Sequence, residues 1–132
     1  MNTYKIVKES LKRCGTSNEF YDTFYEVFLS KSEDIPKLFA NTEFKKQKKL
    51  LKATITTMIR FPLDHKTTQS VLIMVAKTHN EDGYNIKPEL YLLWLDSLCE
   101  TVEKYDSEFT SEIESQWRKY MQEAIDVILA NY

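Results

Sequence analysis

Val71-Leu72-Ile73-Met74-Val75-Ala76-Lys77-Thr78-His79 is the stretch on which the fold turns. Leu72, Val75, Ala76 and His79 stand at i, i+3, i+4 and i+7, so a helix puts all four on one apolar face. An imidazole on such a face needs a partner, because a buried polar group without one is costly. Two partners fit the spacing equally well. One is a nearby carbonyl, which makes His79 an ordinary core residue. The other is a metal, for which neutral imidazole is the commonest protein ligand.

The rest of the chain reads as helix around this stretch. Its 132 residues suit one domain with one core, and two Gly and three Pro leave few breaks in long helices. The expected class is therefore all-α, with residues 1–132 as a single domain. The formal net charge of −2 supplies no global basic field for nucleic acid. No apolar run reaches the length of a membrane span, and Met1-Asn2-Thr3-Tyr4-Lys5 lacks the apolar segment of a secretory signal. A cytoplasmic protein is expected. Cys14 and Cys99 form no CxxC motif; two free thiols are the simplest reading, a disulfide the alternative.

Walking outward from His79, each segment carries its own stripe. Tyr4, Val7, Leu11 and Cys14 share a face that stops at Gly15. Ser17 or Asn18 can cap the next helix, whose stripe is Phe20, Phe24, Val27 and Phe28 with Tyr21 and Tyr25 beside it. Asp34-Ile35-Pro36-Lys37-Leu38-Phe39 reads as a short turn-helix with Pro36 in its first turn. Phe44, Leu51, Thr54, Ile55 and Met58 line one face of a long helix; Lys45, Lys46, Lys48, Lys49 and Lys52 line the other. Gln47 falls on the apolar side, where water is scarce. The lysine face reads first as a solvated helix surface and second as a site for an anionic partner. The stretch Asp64-His65-Lys66-Thr67 is expected as a polar connector with His65 exposed. Asp82-Gly83 signals a turn, and Pro88 opens a helix with Tyr91, Trp94, Leu95, Leu98, Val102 and Tyr105 on one face. Asp106 to Thr110 is the last loop. The final helix buries Ile113, Trp117, Tyr120, Ala124 and Ile128.

Taken in order, the inward polar residues Tyr25, Gln47 and His79 come from three helices, with Phe39 on the corner between the first two. This set resembles the bacterial single-domain globins and the globin domain of flavohaemoglobins. The resemblance is carried by Phe24-Tyr25-Glu26-Val27-Phe28-Leu29, by Ile35-Pro36-Lys37-Leu38-Phe39, by Phe44-Lys45-Lys46-Gln47-Lys48-Lys49-Leu50-Leu51, and by Val75-Ala76-Lys77-Thr78-His79 followed by Pro88-Glu89-Leu90-Tyr91. It covers nearly the whole chain.

The resemblance implies a globin fold, a three-over-three helical sandwich around haem b (iron protoporphyrin IX). It implies His79 as the proximal iron ligand and Phe39 stacked on the porphyrin. Tyr25 and Gln47 become the distal hydrogen-bonding pair, Leu51 the apolar residue over the gas, and Val75, Tyr91 and Trp94 further cofactor contacts. The absence of CxxCH goes with a haem that is not covalently attached. An imidazole on one side leaves the opposite iron position open for O2, NO or CO. Each residue also has a plainer reading: Tyr25 as a packed tyrosine, Gln47 turned out to the lysines, Phe39 as core.

Two departures from the flavohaemoglobin pattern bear on function. The position of that family's proximal carboxylate is reached only at Tyr132, which weakens the case for peroxidase-like chemistry. No flavin- and nicotinamide-binding domains follow, so electrons are expected from a separate reductase. The implied function is reversible O2 binding by a monomer or weak homo-oligomer. The alternatives are nitric-oxide dioxygenation with that reductase, or gas and redox sensing through a partner protein.

Overall fold

A computed structural model describes residues 2–15, 17, 19–79 and 86–131. Among them the chain forms seven helices: α1 (Thr3–Cys14), α2 (Phe20–Leu29), α3 (Asp34–Leu38), α4 (Phe44–Arg60), α5 (His65–His79), α6 (Glu89–Tyr105) and α7 (Ser111–Ala130). The Asp82-Gly83 turn, Asn18 and Tyr132 lie outside the described residues. Among those described, no helix is long and apolar enough to cross a membrane.

Local chemistry sets most boundaries. Asn2 Oδ1 accepts from the N–H groups of Tyr4 and Lys5, and Thr110 Oγ1 accepts from that of Ile113. Pro36 is the third residue of α3, where its missing N–H leaves no helical bond unmade. The cap expected at Ser17 or Asn18 falls differently: the first flanking residue of α2 is Glu19, whose N–H donates to Ser17 Oγ at 3.2 Å. The connector expected at Asp64–Thr67 is instead the opening of α5. Asp64 Oδ1 accepts from the Thr67 N–H at 3.3 Å, capping a helix whose first residue is His65. His65 is exposed as expected, and its ring stacks on Phe61 with centroids 4.3 Å apart.

The helices form two layers of three. α1 packs on α4 and α4 on α5; α2 packs on α6 and α6 on α7. Across the layers, α7 meets α1, α4 and α5, and α2 meets α4. This is the three-over-three arrangement. The core between them is filled by Phe20, Phe24, Ile35, Ile55, Leu72, Leu98, Trp117 and Met121, all fully buried. Each such side chain contributes roughly 1.5–3 kcal/mol of transfer free energy.

One buried polar knot ties the ends of the chain together. Asp106 Oδ2 accepts from Ser10 Oγ at 2.6 Å and from Arg13 Nη2 at 3.0 Å, while Trp117 Nε1 donates to Ser10 Oγ at 2.9 Å. α1, the α6–α7 corner and α7 are thereby joined.

Candidate functional site

His79 is the last residue of α5 and is half-buried, below fully buried Leu72 and Ala76 on the same face. Its Nδ1 lies 2.8 Å from the carbonyl oxygen of Val75 and 2.9 Å from Thr78 Oγ1. A carbonyl only accepts, so Nδ1 carries the proton and Nε2 the lone pair. Burial pushes the imidazole pKa down, and the bond to Val75 only partly offsets it, which favours the neutral ring.

Across the frame, α2 and α4 bring Tyr25 and Gln47 together. Tyr25 is 5% exposed, with the Gln47 side chain near its phenol. Burial raises the Tyr25 phenol to about 12, more than the nearby Gln47 amide lowers it, so the phenol keeps its proton throughout the neutral range. Gln47 does not turn fully out to the lysines; it is half-buried. Phe39, just after α3, sets its ring edge-on to Tyr25 at 5.8 Å.

Phe44, read from the sequence only as part of an apolar stripe, completes this aromatic group. It stacks on Phe39 at 5.8 Å and meets Tyr25 edge-on at 5.3 Å. Its signal was present in the spacing, one turn before Gln47 on α4. A cleft lined by Asp22, Tyr25, Glu26, Leu29, Phe44 and Lys48 opens between α2 and α4 beside it. Leu51 is buried one turn beyond Gln47. Val75 on α5 and Tyr91 and Trp94 on α6 are half-buried against the core, and Trp94 meets Phe24 edge-on at 5.9 Å. The expected residues thus form two groups. Tyr25, Phe39, Gln47 and Leu51 stand on α2 to α4; Val75, His79, Tyr91 and Trp94 stand on α5 and α6.

Among the described residues no three His, Cys, Asp or Glu side chains converge on a metal position. A lone imidazole is too few ligands for a bare ion. It suits an iron whose equatorial ligands come from a porphyrin, and Leu72 and Ala76, both fully buried, continue its face of α5 toward the core. The donor set therefore fits haem. Cys14 and Cys99 are free and buried, with burial raising both thiols to about 12, so little thiolate is present in either at neutral pH.

Comparison with known proteins gives two findings. A family model described as Globin matches residues 22–128. A solved structure from Pseudomonas aeruginosa PAO1, described as structurally highly homologous to a human hemoglobin, is 35% identical with a TM-score of 0.94; the match covers 99% of this chain and 98% of that one. No curated protein matches.

Proposed function

The chain belongs to the globin family, which binds haem and diatomic gases, and from that premise we propose that it binds haem b through His79 and takes up O2 reversibly on the Tyr25–Gln47 side. Residues 1–132 act as a single globin domain in this reading. When bound, haem supplies a ferrous iron with one coordination position open to O2, NO or CO. The remaining work belongs to the protein's own side chains.

The observation that carries the reading is the His79 Nδ1 bond to the Val75 carbonyl. It holds the ring in one tautomer and one orientation, and it raises the basicity of Nε2 as a ligand. Val75, Tyr91, Trp94 and Phe39 exclude water from the cofactor faces in this reading, and Leu51 narrows the space over the gas. Tyr25 and Gln47 donate hydrogen bonds to a ligand that gains negative charge when it binds. Two such bonds at about 1 kcal/mol each slow gas release by roughly tenfold or more. Slow release suits scavenging of scarce oxygen better than bulk transport.

The test is the visible absorption spectrum of the purified protein supplied with hemin, oxidised, reduced and with CO. A Soret band that shifts on reduction and again with CO is expected, and is lost or grossly altered in His79→Ala. A protein that stays colourless overturns the proposal.

A further inference from the structure

α4 carries Lys45, Lys46, Lys48, Lys49, Lys52 and Arg60 and no acidic residue, in a chain whose formal net charge is −2. Six of the eighteen Lys and Arg residues thus stand on one helix with no carboxylate among them. Two of these lysines are engaged: Lys48 pairs with Asp22 on α2, and Lys46 lies 3.5 Å from Glu43. Among the described residues, Lys45, Lys49 and Lys52 have no acidic partner within ion-pair distance. They stand at i, i+4 and i+7, all exposed, and form one stripe along the outer face of the helix. Leu50, 61% exposed, flanks it. The other side of the same helix carries Gln47, Leu51, Ile55 and Met58 toward the interior. A body seated on the stripe is separated from the candidate site by a single helix, about 10 Å thick.

We propose that this stripe is the docking surface of an acidic flavoprotein that reduces the iron. The inference rests on the haem reading above. Gas binding needs ferrous iron, so ferric iron has to be returned to that state. The donor's anionic reduced flavin loses one electron and its negative charge; ferric iron gains that electron and becomes ferrous; no proton moves. Three unpaired ammonium groups attract a negatively charged surface and steer the encounter. A lipid surface fits less well. A helix that lies on a bilayer buries its apolar face in the lipid, whereas Leu51, Ile55 and Met58 of α4 are already in the core.

The experiment uses the haem-loaded protein and a bacterial flavodoxin, an acidic flavoprotein, as probe. Calorimetry reads binding to the ferric protein, and stopped-flow absorbance reads reduction, with dithionite as a small reductant that needs no docking. Binding is expected to weaken roughly tenfold between about 20 mM and about 200 mM salt as screening shortens. The variant Lys45→Glu/Lys49→Glu/Lys52→Glu is expected to lose at least about tenfold in affinity and in flavodoxin-driven reduction, with dithionite reduction unchanged. All three side chains are exposed and glutamate at position 45, in the first turn of α4, favours the helix dipole, so this variant is expected to keep its fold, checked by circular dichroism. The control Lys5→Glu/Lys66→Glu/Lys119→Glu changes net charge equally on other helices and is expected to bind flavodoxin within about twofold of the parent. Equal loss in both variants, no flavodoxin binding at low salt, or capture by phosphatidylglycerol vesicles without flavodoxin binding overturns the proposal. The Soret band of the same samples reports on the haem reading separately. Calorimetry on the haem-free protein then shows whether the stripe binds flavodoxin on its own.

Discussion

The imidazole of His79 donates its Nδ1 proton to the carbonyl of Val75, one helical turn back on α5, at 2.8 Å. The acceptor is part of the same helix, so the ring's orientation is tied to the helix axis rather than to a mobile loop. This bond makes Nε2 the coordinating nitrogen in the proposed function. Replacing His79 by Gly is expected to lower hemin affinity, and added imidazole is expected to restore the parent Soret spectrum. Restoration would show that the pocket needs a ligand at this place and not the backbone attachment. An unaltered spectrum of His79→Gly without imidazole would remove His79 as ligand.

Tyr25 and Gln47 are expected to hold bound gas together. Tyr25→Phe deletes one donor while keeping the ring contacts with Phe39 and Phe44. Its O2 dissociation rate, read by stopped flow, is expected to rise about fivefold, and that of Tyr25→Phe/Gln47→Leu roughly tenfold or more. A rate equal to the parent's in Tyr25→Phe takes the phenol out of the site.

Phe44 is expected to matter although it carries no polar group. Phe44→Ala removes a ring that packs on both Phe39 and Tyr25. The expected cost is about 2–3 kcal/mol in urea unfolding, below that of a fully buried phenylalanine because Phe44 is half-buried. It is also expected to raise the O2 dissociation rate by loosening Tyr25. Loss of stability with an unchanged rate would make Phe44 a packing residue only.

Asp106 is expected to contribute stability that is lost in acid. Burial alone would raise its pKa, but the hydrogen bonds from Arg13 and Ser10 and the Glu108 N–H outweigh it, leaving the carboxyl below its ordinary value. A depressed folded pKa gives stability that is present above the unfolded value and is lost as pH falls through the folded one. Asp106→Asn is therefore expected to cost about 2–4 kcal/mol at pH 7. The gap to the parent, from urea melts, is expected to close below about pH 4. A gap that stays constant down to pH 2 argues against this account.

Cys14 and Cys99 are expected to react with iodoacetamide only when the chain opens. Both are buried and both thiols are raised to about 12, so little thiolate exists at pH 8. Labelling followed by mass spectrometry is expected to be slow in native buffer and fast in denaturant. Fast native labelling of either one places it at the surface.

How much of this was legible beforehand follows from the range of each interaction. Helical periodicity is local, so the stripe ending at His79, the inward position of Gln47 and the first-turn place of Pro36 were all readable in the chain itself. The opening of α5 was missed because Asp64 was read as part of a polar stretch. It is a cap, whose effect is to start a helix. Phe44 was placed on the correct face but not in the aromatic group, since ring stacking with Phe39 depends on the corner between α3 and α4.

Periodicity, breakers and charge thus determined an all-helical chain and named the residues facing inward, because a helix repeats every few residues and its faces can be counted; the globin expectation came from the resemblance of its motifs to that family. The folded molecule decided which faces meet. Asp106 looked like a loop acid, yet it is buried against Arg13, 93 residues away. Lys48 looked like one more solvated lysine, yet it reaches Asp22 across 26 residues of chain. Such pairings depend on how helices cross, a three-dimensional property that no local spacing encodes.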